Sequence, residues 1–302
     1  MSSNLYTGKE KKMRFAFELL ASGIAVGALY GLMAMAFALT YKATGLLNFA
    51  QGELGMLIAY LAWSLSTALG SNTLALIAGT LVSSVFLGYV VERFIMRRML
   101  GQPVFSAVLV TVGIGLIISS TVLLVWGGEP KEVIVPYAKD IISIGGVRMR
   151  QSQLAVVLVL LAALIATSLF FKYSRFGVAM RAVAIDQRTA RLMGISPERV
   201  QAVAWVLSSF LAGLAGVFFA VTFELSPTLF GLGLKSFPAT VVGGLDAVVG
   251  SGGSGIFIGV IENLVGGYGS TELKEVAGFL IILIILMVRP FGLFGETRVE
   301  RV

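Results

Sequence analysis

Long apolar runs separated by short polar interruptions dominate the chain. Seven runs stand out, at residues 15–40, 46–69, 73–95, 104–127, 153–173, 200–223 and 273–289. Most approach or exceed the ~20 residues that a helix needs to cross the hydrocarbon core of a bilayer. An eighth stretch, 236–268, is about 33 residues long and crowded with glycine. It is too long for one upright span and tight for two. It therefore predicts two short or broken helices, 236–249 and 252–268, with the break among Gly250, Gly252, Gly253 and Gly255. The backbone groups freed by such a break must be covered by protein rather than lipid. The fold class that follows is all-α, a polytopic transmembrane bundle of about 8–10 membrane helices, some broken or short.

The polar interruptions set the orientation. Residues 174–199 carry Arg175, Arg181, Arg188, Arg191 and Arg199 against only Asp186 and Glu198. Arg97 and Arg98 mark 96–103, and Arg298 and Arg301 mark the C-terminal tail. The positive-inside rule places all three in the cytoplasm and the mixed-charge loop 128–152 outside. Four crossings separate 174–199 from the tail, which supports the split of 236–268. Five crossings back to the start put the N-terminus outside, although Lys9, Lys11, Lys12 and Arg14 favour the inside. One element before residue 173 is therefore expected to be broken or re-entrant, and the polar insert Asn48, Gln51 and Glu53 is the place for it. The first apolar run exceeds the 7–15 residues of a secretory signal and reads as a retained helix.

Composition narrows the chemistry. Of the 302 residues, 57% are hydrophobic and 13% are charged, about half the charge of an ordinary soluble domain. With no Cys and no His, disulfides, thiol nucleophiles, Cys/His metal sites and Ser–His hydrolysis drop out together. The net charge of +7 would suggest nucleic acid for a soluble protein. Here the basic residues lie between apolar runs and follow membrane topology, so the expected surroundings are a bilayer and no nucleic acid. No phosphate-binding loop is present: in Gly231-Leu-Gly-Leu-Lys235-Ser236 the glycine required before the lysine is replaced by Leu234. Ionisable groups within apolar segments are costly and mark buried structure or a substrate path. Glu18, Glu92 and Glu224 fall near helix ends and read as headgroup-level charges. Glu53 and Asp246 fall deeper, and Lys235 and Glu262 complete the set. Small residues recur every fourth position at Gly23, Gly27 and Gly31, at Ser209 and Gly213, at Ala212 and Gly216, and at Ser251, Gly255 and Gly259. Such stripes let helices approach closely, here expected within one subunit.

Within 174–199, Asp186 is placed to cap a helix, Gly194 to end it, and Ser196-Pro197 to start the next. A rigid, basic helix of about two turns over 186–194 results, suited to docking on a cytoplasmic partner. Ala190-x-x-x-Gly194 resembles the coupling-loop motif of bacterial ABC importer permeases. Leu29-Tyr-Gly-Leu32, Asn48-Phe-Ala-Gln-Gly-Glu53, Arg181-Ala-Val-Ala184, Ala190-Arg-Leu-Met-Gly-Ile195, Val242-Gly-Gly-Leu-Asp246 and Arg289-Pro-Phe-Gly-Leu-Phe-Gly295 together resemble the LivH-type permeases of branched-chain amino acid ABC transporters.

The resemblance runs from about residue 15 to 296. It implies a basic N-terminal tail 1–14, a single permease domain 15–296 with a coupling loop 174–199, and a tail 297–302. It also implies a second, LivM-like permease subunit, two cytoplasmic ATPase subunits that hold ATP and Mg, and an extracytoplasmic binding protein, all at the bacterial inner membrane. The chain itself would be non-catalytic and hold no cofactor or metal. Coupling residues would be Arg181, Asp186, Ala190, Gly194 and Pro197. Asn48, Gln51, Glu53 and Asp246 would line the path or hold its bend. Alternatives are an ion-coupled secondary transporter, expected to show paired carboxylates at mid-membrane, and an ABC permease for urea, amides or small carboxylic acids.

Overall fold

A computed structural model describes residues 8–295 apart from Tyr137, Gly145 and Gly146. Residues 1–7, the tail from 296 and its arginines Arg298 and Arg301 lie outside the described residues. Eleven α-helices run in chain order among the described residues: α1 Gly8–Thr44, α2 Gln51–Ala68, α3 Thr73–Val90, α4 Val104–Trp126, α5 Gln151–Tyr173, α6 Arg175–Ile185, α7 Gln187–Leu192, α8 Pro197–Thr222, α9 Gly231–Gly243, α10 Val248–Tyr268 and α11 Thr271–Val288. Six of them, α1, α3 with its continuation, α4, α5, α8 and α10, are long and apolar enough to cross a membrane. A two-stranded hairpin, β1 Ile141–Ile144 with β2 Val147–Arg150, interrupts the all-helical pattern within the 128–152 loop.

Contacts at the two ends of the bundle fix how the helices run. At one end, Phe15 of α1 meets Tyr268 of α10 edge-on at 5.9 Å between ring centroids. Trp126 at the end of α4 donates to Ser64 near the end of α2, and Arg150 before α5 donates to the Thr222 carbonyl that ends α8. At the other end, the Lys42 ammonium of α1 lies 5.5 Å above the Phe171 ring of α5 and donates to the Asp246 carbonyl at 2.9 Å. Loop 174–199, the start of α8 and the α9–α10 turn thus share one end, the arginine-rich one. The start of α1 and loop 128–152 share the other. At 37 residues, or about 55 Å, α1 exceeds a ~30 Å hydrocarbon core. Its first turns, with the Arg14–Glu18 pair, project beyond it.

The polar insert is irregular as expected, though not as a break within a helix. Residues 45–50 climb back into the bundle without regular structure, and α2 begins only at Gln51. The apolar run 46–69 is therefore an irregular segment followed by an 18-residue helix. The start of α1 and loop 174–199 lie at opposite ends of the bundle.

The glycines of 236–268 also act otherwise than expected. Gly250, Gly252, Gly253 and Gly255 lie inside α10, and the break falls at residues 244–247, where Gly244 takes a φ of +105°. The glycine run serves close approach. A Cβ on Gly255 would lie 2.2 Å from the Gly31 nitrogen, and one on Gly259 would lie 2.3 Å from the Gly27 Cα. The two stripes read from the sequence thus pack against each other within one chain. Gly216 likewise meets the backbone of Gly55, joining α8 to α2. Since lipid is as apolar as the side chains, such backbone proximity is what holds membrane helices together.

Candidate functional site

The irregular segment 45–50 needs its backbone polar groups satisfied inside the protein, and the polar insert does this. Asn48 accepts from the Ala50 N–H at 3.1 Å and donates to the Gln51 side chain at 2.7 Å. Gln51 donates to the Ser208 carbonyl of α8 at 3.3 Å. The Ser208 hydroxyl accepts from Thr40 at 2.6 Å and donates to the Ala36 carbonyl at 3.0 Å. The Phe49 N–H reaches the Thr111 hydroxyl of α4 at 3.1 Å. Asn48 and Gln51 are 1% and 0% exposed. They are therefore tied into the bend and do not line an open surface.

Glu53, one turn into α2, has the opposite setting. It borders a cleft walled by Phe37, Phe49, Phe230, Phe237, Leu234 and Phe279, with Gly52 and Gly233 at its back. The backbones of α2 and α9 touch there: a Cβ on Gly52 would lie 2.3 Å from the Phe230 carbonyl oxygen. Gly115 of α4 leaves room for the Glu53 carboxyl, since a Cβ there would lie 3.1 Å from its Cδ. Toward the arginine-rich end lies a cavity of about 460 Å³, lined by Tyr41, Phe237, Leu245, Asp246, Ile282 and Phe291 among others. Phe237 borders both. A separate groove between α1, α5 and α8 is lined by Leu39, Ala162, Phe170, Phe210 and other apolar residues, with Thr167 its single polar one. It has no group to orient a polar solute.

Asp246 lies in the α9–α10 turn, where the two glycine-rich strings noted in the sequence dock on each other. The Leu293 N–H donates to the Val242 carbonyl at 2.8 Å and the Phe294 N–H to the Gly243 carbonyl at 3.2 Å. Gly292, at φ +80°, closes against Val241 and Gly244.

Loop 174–199 holds two helices. The short helix read from the sequence is α7: Asp186 accepts from the Arg188 N–H at 2.8 Å and from the Thr189 hydroxyl at 2.6 Å. These bonds, the Thr189 hydroxyl foremost, hold the Asp186 carboxyl below its ordinary pKa. Gly194, at φ +80°, ends the helix with the paired bonds of a Schellman motif, Gly194 N–H to Arg191 and Ile195 N–H to Ala190. Ser196 caps α8, and Pro197 is its first residue. The second helix, α6, was missed: Ser174 caps it by accepting from the Gly177 N–H at 2.8 Å. Ser174-Arg-Phe-Gly177 offers an N-cap signal that could have shown it.

The five residues assigned to coupling mostly build this unit. Ala190 and Pro197 are buried, Asp186 and Gly194 cap α7, and Arg181 donates to the Phe171 carbonyl at the end of α5. Arg181, Asp186 and Gly194 are also exposed, and beside them Ile185, Leu192 and Met193 are the loop's most exposed apolar side chains, at 87%, 88% and 78% exposure.

Two other carboxylates are buried and partnered. Glu92, read from the sequence as a headgroup-level charge, is 1% exposed, on a π-helical turn after α3, and accepts two hydrogen bonds from Arg97 at 3.0 and 2.9 Å. That turn brings a residue five positions on over the carboxylate, a spacing α-helical periodicity does not offer. Glu262 is buried in α10 and accepts from the Tyr30 hydroxyl at 2.9 Å.

The architecture defines a class first: a multi-pass helical membrane protein whose polar groups gather midway along the bundle and at its arginine-rich end. The family is narrower. Residues 19–288 match the family described as branched-chain amino acid transport system / permease component, and the chain belongs to it. It is 29% identical over 304 residues to the high-affinity branched-chain amino acid transport system permease protein LivH of Salmonella typhimurium, covering 95% of this chain and 98% of that one. It is 28% identical over 298 residues to the corresponding protein BraD of Pseudomonas aeruginosa, covering 94% and 97%. With the probable branched-chain amino acid transport permease protein LivH of Methanocaldococcus jannaschii it shares 26% over 298 residues, 92% of each chain.

Proposed function

We propose that this chain is one of two membrane-spanning subunits of an ATP-driven importer for branched-chain or related hydrophobic amino acids in a bacterial inner membrane. The relatives' names support the substrate class. The observation that carries the mechanism is α7: a doubly capped helix at the arginine-rich end, presenting Leu192 and Met193 to solvent. Apolar side chains that open to water on a rigid mount suit a protein partner. In this reading the partner is one of two ATPase subunits, which bind ATP and Mg. A second, LivM-like permease completes the path, and an extracytoplasmic binding protein delivers the substrate.

Coupling then follows from the contacts. Nucleotide-driven closure displaces α7 as a rigid body together with α6. Arg181 ties α6 to the Phe171 carbonyl, and Lys42 joins the Phe171 ring to the Asp246 carbonyl beside the cytoplasmic cavity. Movement of the loop therefore reaches the α9–α10 turn through three direct contacts. ATP closure favours one of two arrangements of the bundle, and its differential binding sets how far the population shifts. The ion-coupled alternative calls for paired carboxylates. Here Glu92 is bound by Arg97, Glu262 by Tyr30, and Glu53 lies against Gly115.

The test is leucine uptake and ATP hydrolysis by the reconstituted complex, with and without loaded binding protein. L192D/M193D is expected to abolish substrate-stimulated hydrolysis while the permease still inserts. Uptake without any ATPase subunit, or full stimulation in the double variant, would overturn the proposal.

A further inference from the structure

We infer that the cleft at Glu53 is a recognition site for an apolar primary ammonium compound, with Glu53 receiving the ammonium group and the phenylalanine wall taking the hydrocarbon part. The inference rests on the chain being a permease for small metabolites. It adds which residue reads the substrate and by which of the substrate's groups. Three observations converge.

First, the Glu53 carboxylate makes no ion pair among the described residues, whereas Glu92 is paired with Arg97 and Glu262 accepts from Tyr30. An ionised group at membrane depth is costly unless a counter-charge or hydrogen-bond donor meets it. Second, no basic residue lines the cleft, so the site disfavours an anion and leaves the negative charge for a cationic head. Third, Phe37, Phe49, Phe230 and Phe237 line the same cleft as Glu53, with Phe237 6.2 Å from Phe37 and 6.4 Å from Phe49, centroid to centroid. Ring faces attract ammonium groups and offer hydrocarbon surface to an alkyl chain. A neutral polar solute such as an amide would gain little from either feature. Phe237 also borders the larger cavity, so the two spaces adjoin at one side chain.

The absence of cysteine gives a direct test. L234C, at an exposed cleft residue, is labelled with a small uncharged methanethiosulfonate in the complete transporter, and modification is followed by mass on this chain. L-Leucine and 3-methylbutylamine are expected to slow labelling, and 4-methylpentanoate, which lacks the ammonium, is not. Adding Glu53→Gln is expected to raise the half-protecting concentration of both amines by about tenfold or more, as for loss of one charge-assisted hydrogen bond. The labelling rate without ligand should stay as in L234C alone, which excludes a collapsed cleft. Equal protection by 4-methylpentanoate, undiminished protection in the Glu53→Gln background, or no protection in a complex that takes up leucine would each overturn the inference. Amine protection in a complex that takes up no leucine would count against the proposed transport function and leave the ammonium site standing.

Discussion

The α1–α10 crossing allows two substitutions on one helix, two residues apart, to be given opposite signs. A Cβ on Gly255 would sit 2.2 Å from the Gly31 nitrogen, 2.3 Å from its Cα and 2.7 Å from the Gly27 oxygen. All three are backbone atoms, so no rotamer change relieves the contact. The helices must separate by about 1 Å to restore ordinary distances. A gap of that size forfeits a quarter to a half of each dispersion contact it opens, and the same crossing holds Gly27 against Ile256 and Gly259 against Gly27. Overpacking of this kind costs about 1–3 kcal/mol. With rigid backbone on both sides, Gly255→Ala should fall near the upper end, about 3 kcal/mol. Gly253 meets nothing within 4 Å, so Gly253→Ala adds only helix propensity, stabilising by about 0.5–1 kcal/mol. Thermal inactivation of the detergent-purified chain, run for both variants beside the parent, measures the difference. Gly255→Ala should shorten the half-life at a fixed elevated temperature and Gly253→Ala should lengthen it. Equal half-lives for the two variants would refute the claim that the glycine stripe is a backbone-to-backbone contact.

Breaking the Glu92–Arg97 pair by Arg97→Ala strands a carboxylate that is 1% exposed and should cost about 3–5 kcal/mol, whereas the apolar double replacement E92L/R97M should cost far less. The same inactivation assay reads both. Gly194→Ala meets no steric contact and pays only the left-handed backbone penalty of about 1 kcal/mol, which Gly194→Asn should largely avoid. Substrate-stimulated ATP hydrolysis should therefore fall in the first and persist in the second. The Asp186 carboxyl is held below its ordinary pKa, so its contribution to α7 is complete above the unfolded value of about 3.9 and is lost only as pH falls through the lower folded value. Stimulated hydrolysis should thus show no Asp186-dependent change from about pH 8 to 5. Asp186→Asn should preserve the cap and Asp186→Ala should lose it at every pH.

What could be read from the sequence, and what could not, divides along the range of the interactions involved. The ends of α7 were legible because capping is local: Asp186, Gly194, Ser196 and Pro197 each act on backbone within a few residues. The face α7 presents was not, because in six residues no periodicity develops. Ala190 turns inward while Leu192 and Met193 turn outward, a choice made by how α6 and α8 hold the loop. Glycine misled in a particular way. The same residue type permits a positive φ and permits close approach, and the letters alone do not say which is in use. Gly244 breaks the chain at φ +105° and Gly255 packs against Gly31, whereas the sequence reading placed the break among the residues that pack. The paired spacing of Gly23, Gly27 and Gly31 with Gly255 and Gly259 was the better guide, since a stripe on one helix requires a complementary stripe on another. The Glu53 cleft was the least legible part. Its phenylalanines come from α1, the segment before α2, the turn before α9, α9 itself and α11, and no spacing along the chain joins them. Glu53 stood out in the sequence as a deep charge within the Asn48–Glu53 string, but its partners could not be read there. Arg97 binds Glu92 and Tyr30 donates to Glu262, and this difference in partners, visible only in three dimensions, is what the inferred ammonium site rests on.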